Sequence, residues 1–95
     1  MLLLSKFKIS GHSMEPLIKN GQSVLISKIP YFFSEPGVKE IVAFNYQGKI
    51  LIKRIVKKVG TKYFLAGDNL KDSLDSRSFG FVSKDYILGK VIYIF

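Results

Sequence analysis

Residues 67–80 read GDNLKDSLDSRSFG, a polar run that interrupts an otherwise apolar part of the chain. The residues before it (62–66) and after it (87–95) are rich in β-branched and aromatic side chains, which favour strands. A segment this rich in Gly, Asn, Asp and Ser is typical of a loop. The run, called the polar run below, therefore predicts a long loop between strands of a sheet.

Working outward, most of the chain has the same strand-like character. Further strand signals cover residues 24–26, 40–46 and 49–59. Gly48 and Gly60 lie in short polar links that are typical of hairpin turns. Residues 15–19, with Pro16 near the start, and residues 83–87 each suggest one helical turn. We predict a mostly β fold: one small domain over residues 1–95, with coiled antiparallel strands that form a partly closed barrel.

The composition excludes several classes of protein. The chain has 95 residues, enough for one small core, and its hydrophobic fraction of 47% is typical of a globular protein. There is no cysteine, so neither a disulfide framework nor thiolate chemistry is available. A single histidine argues against a structural zinc site, and no cofactor is expected.

The formal net charge of +8 admits two interpretations. It either reflects a lysine-rich solvated surface or attracts the chain to an anionic partner, such as a lipid surface or a nucleic acid. No segment approaches the roughly 20 apolar residues that cross a bilayer. The expected location is the cytoplasm or the membrane periphery, or a membrane anchorage if the sequence is part of a longer chain.

Four segments, in order, resemble the conserved boxes of signal peptidase I. The polar run meets every named position of the signature G-D-N-x-x-x-S-x-D-S-R-x-x-G. Residues 10–16, SGHSMEP, resemble the nucleophile box, and residues 53–55, KRI, resemble the lysine box. Residues 20–28 and 36–44 resemble two strands of the family. The resemblance extends from about residue 7 to residue 89 and implies the fold of a signal peptidase I catalytic core.

The resemblance implies a Ser/Lys dyad, in which Ser13 is the nucleophile and Lys53 is the general base. The backbone N–H of Ser13 is the implied oxyanion donor, and Gly11 offers no side chain to help it. Ser73 corresponds to the family serine that orients the lysine amine.

The rest of the polar run receives supporting roles from the same resemblance. Asp75 and Arg77 correspond to an ion pair that rigidifies the loop under the site. Gly67, Asp68 and Asn69 resemble the tight turn that returns this loop to the nucleophile.

The residues themselves leave two questions about the base. With strand alternation, Lys53 shares a face with Leu51 and Ile55, and burial there lowers the pKa of an amine. The alternative is an edge-strand lysine that reaches water. His12 is a second candidate base, but adjacent side chains rarely point at one another.

The function that the resemblance implies is that of a serine endopeptidase. Its partner is a precursor protein with an extended cleavage segment, from which it removes an N-terminal signal or leader peptide. The short peptidases that mature nickel superoxide dismutase are one subtype that fits. The alternative is a small basic β-barrel that binds nucleic acid or a membrane surface without catalysis, although no nucleic acid is expected under the leading hypothesis.

A proline-bounded segment at residues 29–37 carries three adjacent aromatic residues, Tyr31, Phe32 and Phe33. Their rings either fold back onto the core or form an exposed patch for peripheral contact with an anionic membrane.

Overall fold

The computed structural model describes residues 2–95, which are built mainly from β-strands. Two short helices, α1 (Pro30–Phe33) and α2 (Ser76–Phe79), and a 3₁₀ turn (Lys84–Tyr86) complete the structure. The seven strands are β1 (Leu4–Lys8), β2 (Ser23–Ser27), β3 (Ile41–Tyr46), β4 (Lys49–Val59), β5 (Lys62–Ala66), β6 (Val82–Ser83) and β7 (Ile87–Ile94). The prediction of a mostly β, antiparallel fold is confirmed.

All seven strands join one antiparallel sheet in the order β1-β2-β7-β3-β4-β5-β6. Within residues 2–95 the edge strands β1 and β6 do not pair with each other, so the sheet is open. The last strand, β7, lies in the middle and pairs with both β2 and β3. It therefore connects the half that carries residues 9–22 to the half that contains β4 and the polar run.

The central strands are buried on both faces because side chains alternate along a strand. Val42 and Phe44 belong to one apolar cluster, whereas Ala43 between them belongs to the other. On β4, Ile52 and Ile55 are divided between the two clusters in the same way. This double burial explains why these strands read as nearly continuous apolar runs.

The predicted hairpin turn between β3 and β4 is formed. Gln47 and Gly48 both have positive φ, at 51° and 83°, as the tight turns that suit hairpin twist require. The Asn45 side chain accepts a hydrogen bond from the Gly48 N–H at 3.0 Å. This turn fixes the β3–β4 register and with it the position of Lys53 opposite Val42.

The three aromatic residues of the proline-bounded segment separate into two groups on α1. Tyr31 packs against the second apolar cluster and donates a hydrogen bond to Glu40 at 2.6 Å. Phe32 and Phe33 remain 63% and 86% exposed. Tyr31 therefore folds back onto the core, whereas the rings of Phe32 and Phe33 are exposed. No helix within residues 2–95 has the length and apolar character needed to span a membrane.

Candidate active site

Ser13 lies in the loop between β1 and β2, which is tied to the sheet at both ends. Met14 and Ile18 are buried in the first apolar cluster. Gly11 adopts a φ of 105° and donates its N–H to the Asn20 side chain at 2.8 Å. The loop is therefore held from both sides, and the Ser13 hydroxyl points at the sheet.

The Ser13 hydroxyl meets the Lys53 amine from β4. Lys53 Nζ donates a hydrogen bond to Ser13 Oγ over 2.7 Å, across 40 residues of sequence. Lys53 is only 4% exposed, and β4 lies between β3 and β5. The alternative of an edge-strand lysine that reaches water is therefore wrong, because β4 is an interior strand and Lys53 is buried.

Burial sets the chemistry of this amine. It lowers the pKa of Lys53, while the negative charges of Asp75 and Asp72 oppose part of that shift. A neutral amine can accept a proton, whereas an ammonium cannot. The geometry therefore places a group that can become a base within hydrogen-bond distance of a hydroxyl.

Asp75 organises the polar run from a fully buried position. Its carboxylate forms a fork with the Arg77 guanidinium, with both N···O distances at 2.9 Å, and accepts the Gly67 N–H at 3.0 Å. It also caps α2 by accepting the Arg77 N–H. Burial by itself would raise the pKa of Asp75, but these hydrogen bonds hold it well below its usual range. The two residues thus form an ion pair inside the loop.

Gly67 packs closely against the β1–β2 loop that carries Ser13. A Cβ at this position would collide with the Ser73 hydroxyl and with the backbone oxygen of Ser13. Its φ is not positive, so the requirement for glycine here is one of space and not of backbone conformation.

Asn69 connects the polar run to the β1–β2 loop through hydrogen bonds. Its N–H donates to the Ser13 carbonyl at 2.9 Å, and its side-chain amide donates to the His12 carbonyl at 3.1 Å. Two hydrogen bonds from one residue fix the backbone on which Ser13 sits. The tight turn implied by the resemblance thus includes Asn69, which contacts the backbone of His12 and Ser13.

Asp68 has a partner that the sequence reasoning missed. The Arg54 guanidinium donates two hydrogen bonds of 2.9 Å to the Asp68 carboxylate and a third, of 2.8 Å, to the Lys39 carbonyl. Strand pairing could have suggested this contact, because Arg54 lies opposite Ala66, two residues before Asp68. The fork anchors the start of the polar run to β4, beside Lys53.

Ser73 is buried next to Gly67, and its hydroxyl forms no hydrogen bond of ordinary geometry with the described residues. It lies near enough to Asp75 to lower the pKa of that carboxyl. Within the described residues, no hydrogen bond joins the Ser73 hydroxyl to the Lys53 amine.

His12 points away from the hydroxyl of its neighbour. Its ring Nδ1 lies 2.7 Å from Glu15 Oε2, and no hydrogen bond joins the ring to Ser13 within residues 2–95. This geometry does not support His12 as the base.

A cleft of about 310 Å³ opens over Ser13 and Lys53. Its walls come from Phe7 and Ile9 near β1, from residues 50–53 of β4, and from Asp72 and Leu74 of the polar run. A larger cavity of about 520 Å³ lies elsewhere, beside Tyr46 and Phe79, and does not contain the serine–lysine contact. We assign the functional site to the smaller cleft because only that cleft brings a nucleophilic side chain to a buried amine.

The chain is thus a small β protein with a serine hydroxyl held against a buried lysine amine. It belongs to the signal peptidase family, peptidase S26, whose family model matches residues 1–62 and 57–95. The resemblance predicted from the four boxes is confirmed.

Two similar proteins are signal peptidase I enzymes from Buchnera aphidicola. The one from subspecies Baizongia pistaciae is 43% identical over 54 residues, which cover 50% of this chain and 17% of the relative. The one from subspecies Schizaphis graminum is 41% identical over 58 residues, or 61% of this chain and 19% of the relative. The matched part is thus less than a fifth of the length of these curated relatives.

Proposed function

We propose that this chain is a serine endopeptidase that removes N-terminal signal or leader peptides from precursor proteins. The observation that carries the proposal is the 2.7 Å contact between Ser13 Oγ and the buried Lys53 Nζ. Membership of the signal peptidase family supports the same reaction class and substrate class.

In the proposed reaction, Ser13 Oγ attacks the carbonyl carbon of the scissile bond while neutral Lys53 takes the hydroxyl proton. Lys53 then gives this proton to the leaving amine, and the C–N bond breaks to leave an acyl-enzyme. Lys53 next takes a proton from water, which attacks the ester carbonyl. The proton returns to Ser13 Oγ as the ester bond breaks, so the net change is hydrolysis of one peptide bond.

The negative charge on the carbonyl oxygen needs a donor in each half of the reaction. We assign this role to the Ser13 N–H, which makes no hydrogen bond to the described residues. The two hydrogen bonds from Asn69 hold the adjoining backbone in place. Asn69, Asp68 and Gly67 are thus proposed as positioning residues.

We propose that three residues of the polar run position the Lys53 amine, namely Ser73, Asp75 and Arg77. The buried Asp75 pairs with Arg77 and also binds the Gly67 N–H, so it connects the later part of the polar run to its first residue. The Ser73 hydroxyl, which lacks an ordinary partner, is the group that we propose to orient Lys53 when the amine is neutral.

The substrate is proposed to lie extended in the cleft between the β1 side and β4, where backbone and apolar side chains line both walls. The short peptidases that mature nickel superoxide dismutase remain one subtype that fits this proposal. Cleavage of candidate precursors by the purified protein would identify the subtype.

We also propose a peripheral contact with an anionic membrane. Lys28, two residues before α1, donates its N–H to the Leu3 carbonyl at 3.0 Å, and α1 carries the exposed Phe32 and Phe33. The apolar end, as we name this surface, comprises Leu2, Leu3, Leu4, Phe32 and Phe33, all of them exposed. The net charge of +8 complements an anionic lipid surface.

The test of the peptidase function is cleavage of a precursor by variants of the dyad. Ser13→Ala and Lys53→Met should each lower kcat/KM by at least about a thousandfold, because each removes a group that acts in the chemical step. Lys49→Met, an exposed lysine on the same strand, is the matched control and should retain activity. Full turnover by Lys53→Met would refute lysine as the base.

A further inference from the structure

His12 is fixed at the edge of the cleft by two separate contacts. Its backbone carbonyl accepts the Asn69 side-chain amide, and its ring Nδ1 is held by Glu15. The side chain is still 55% exposed and lines the cleft next to Ser13. The ring therefore lies where it can meet the side chains of a peptide bound in this cleft.

Charged groups from three parts of the chain face this position. Glu15, on the same turn, raises the pKa of His12 through its hydrogen bond, and Asp72, from the polar run, adds to that effect. Lys53, from β4, lines the same cleft, and Lys19 acts on Glu15.

Glu15 and Asp72 differ from most carboxylates of this basic protein. Within the described residues, neither forms a salt bridge with a lysine or arginine. The carboxylates that do have such a partner are Glu35, Glu40, Asp68 and Asp75. The balance of charge at the cleft edge therefore depends on the state of His12.

We propose that His12 is a specificity-determining residue that makes the preference for a charged substrate side chain beside the scissile bond depend on pH. This inference rests on the proposed peptidase function. When His12 is neutral, the charges of Glu15 and Asp72 favour a substrate lysine over a glutamate. When His12 is protonated, it cancels the charge of Glu15 and offers Nε2–H as a donor, so the preference for lysine falls.

The first test measures binding and needs no turnover. Peptides with Lys, Gln or Glu beside the cleavage position are bound to the Ser13→Ala variant at low ionic strength, at about pH 5.5 and about pH 8.5. The Lys peptide should bind about threefold more tightly than the Gln peptide at the higher pH, as expected for one charge interaction near water, and about equally at the lower pH. Equal ratios at both pH values would overturn the inference.

Variants in the Ser13→Ala background separate His12 from other charges. His12→Gln should make the lysine preference the same at both pH values. Asp72→Asn should reduce the preference, whereas Asp85→Asn, which makes the same change in charge outside this cleft, should not. A preference that still changes with pH in His12→Gln, or an equal loss in both aspartate variants, would contradict the assignment.

A second readout follows the ring itself. The chain contains one histidine, so its ring signals in an NMR titration need no assignment. Glu15→Gln should lower the measured pKa of His12, and saturation of Ser13→Ala with the Lys peptide should lower it as well, because the coupling is reciprocal. A pKa that does not move on peptide binding would overturn the inference.

The two proposals fail in different ways. If the wild-type protein cleaves peptides with a preference that does not depend on pH, the specificity role of His12 is refuted and the peptidase function stands. If it cleaves no precursor while these binding preferences hold, the peptidase function is refuted.

Discussion

At the scale of single residues, the site depends on where charge is buried. Among the acidic and basic residues that the structure describes, Lys53 and Asp75 are the two that are buried. Burial lowers the pKa of the lysine, which has no close anionic partner. The hydrogen bonds that the buried Asp75 carboxylate accepts outweigh its burial and lower its pKa. The environment of Lys53 favours the neutral amine, and the environment of Asp75 favours the charged carboxylate.

The first prediction concerns the pH dependence of cleavage. Because Lys53 must be neutral to accept the Ser13 proton and its pKa is lowered by burial, kcat/KM should rise with pH through that lowered pKa. The rise should begin below the ordinary lysine range. Initial rates across the pH range would check this, with His12→Gln as the control that should keep the rise. A rate that is flat from acid to alkaline pH would contradict it.

The second prediction concerns Asp75. Asp75→Asn should lower the free energy of unfolding by roughly 2–3 kcal/mol at neutral pH, because it removes the charge from a buried, hydrogen-bonded ion pair whose arginine is partly exposed. Urea denaturation would measure this, and the exposed Asp85→Asn should change little.

The effect of Asp75 on acid stability has a definite sign. The pKa of its carboxyl is lower in the folded chain, so the unfolded chain binds more protons as the pH falls. Stability from this group is present above about pH 4 and is lost as the pH falls toward the folded pKa. Asp75→Asn should therefore flatten the acid limb of a stability curve, and an unchanged limb would contradict the assignment.

At the scale of elements, the site lies where the polar run meets the β1–β2 loop. The third prediction tests this contact. Gly67→Ala should lower kcat/KM by about tenfold or more, because the alanine Cβ would clash with the Ser13 carbonyl oxygen and displace Ser13. It should also cost about 1–3 kcal/mol of stability.

Gly37→Ala is the matched control for Gly67→Ala. This position also has no positive φ, and its added Cβ would meet only the flexible Glu40 side chain. Activity and unfolding measured side by side should show little change in Gly37→Ala. Equal effects in the two variants would mean that the close approach at Gly67 has no special role.

The elements also show how far the sequence was informative. Strands and hairpin turns follow from local side-chain patterns, and β4 and β5 were predicted with the bounds that the structure has. The fork between Arg54 and Asp68 was not predicted, nor were the hydrogen bonds from Asn69, because they depend on which distant segments become neighbours. The contact partners of Ser73 and His12 could not be predicted for the same reason.

At the scale of the whole molecule, charge and exposed apolar surface act together. The fourth prediction is that the chain sediments with anionic vesicles but not with neutral ones, and that added salt weakens the binding, since charge supplies much of the affinity of a small apolar patch. Phe32→Ser with Phe33→Ser should weaken it further, because both rings are exposed.

The matched control for the membrane prediction is Tyr93→Ser, an exposed aromatic residue on β7 outside the apolar end. It should leave vesicle binding unchanged. Equal, salt-independent binding to both vesicle types would contradict the electrostatic part, and unchanged binding of the double phenylalanine variant would contradict the role of the apolar end.

The central place of β7 has a consequence for synthesis of the protein. The strand that joins the serine half of the sheet to the lysine half follows both halves in the chain, so it is synthesised after them. Until it is in place, Ser13 and Lys53 belong to two parts of the sheet that no strand pairing joins. A nascent chain that stops short of residue 87 therefore contains both reactive side chains but has no assembled active site.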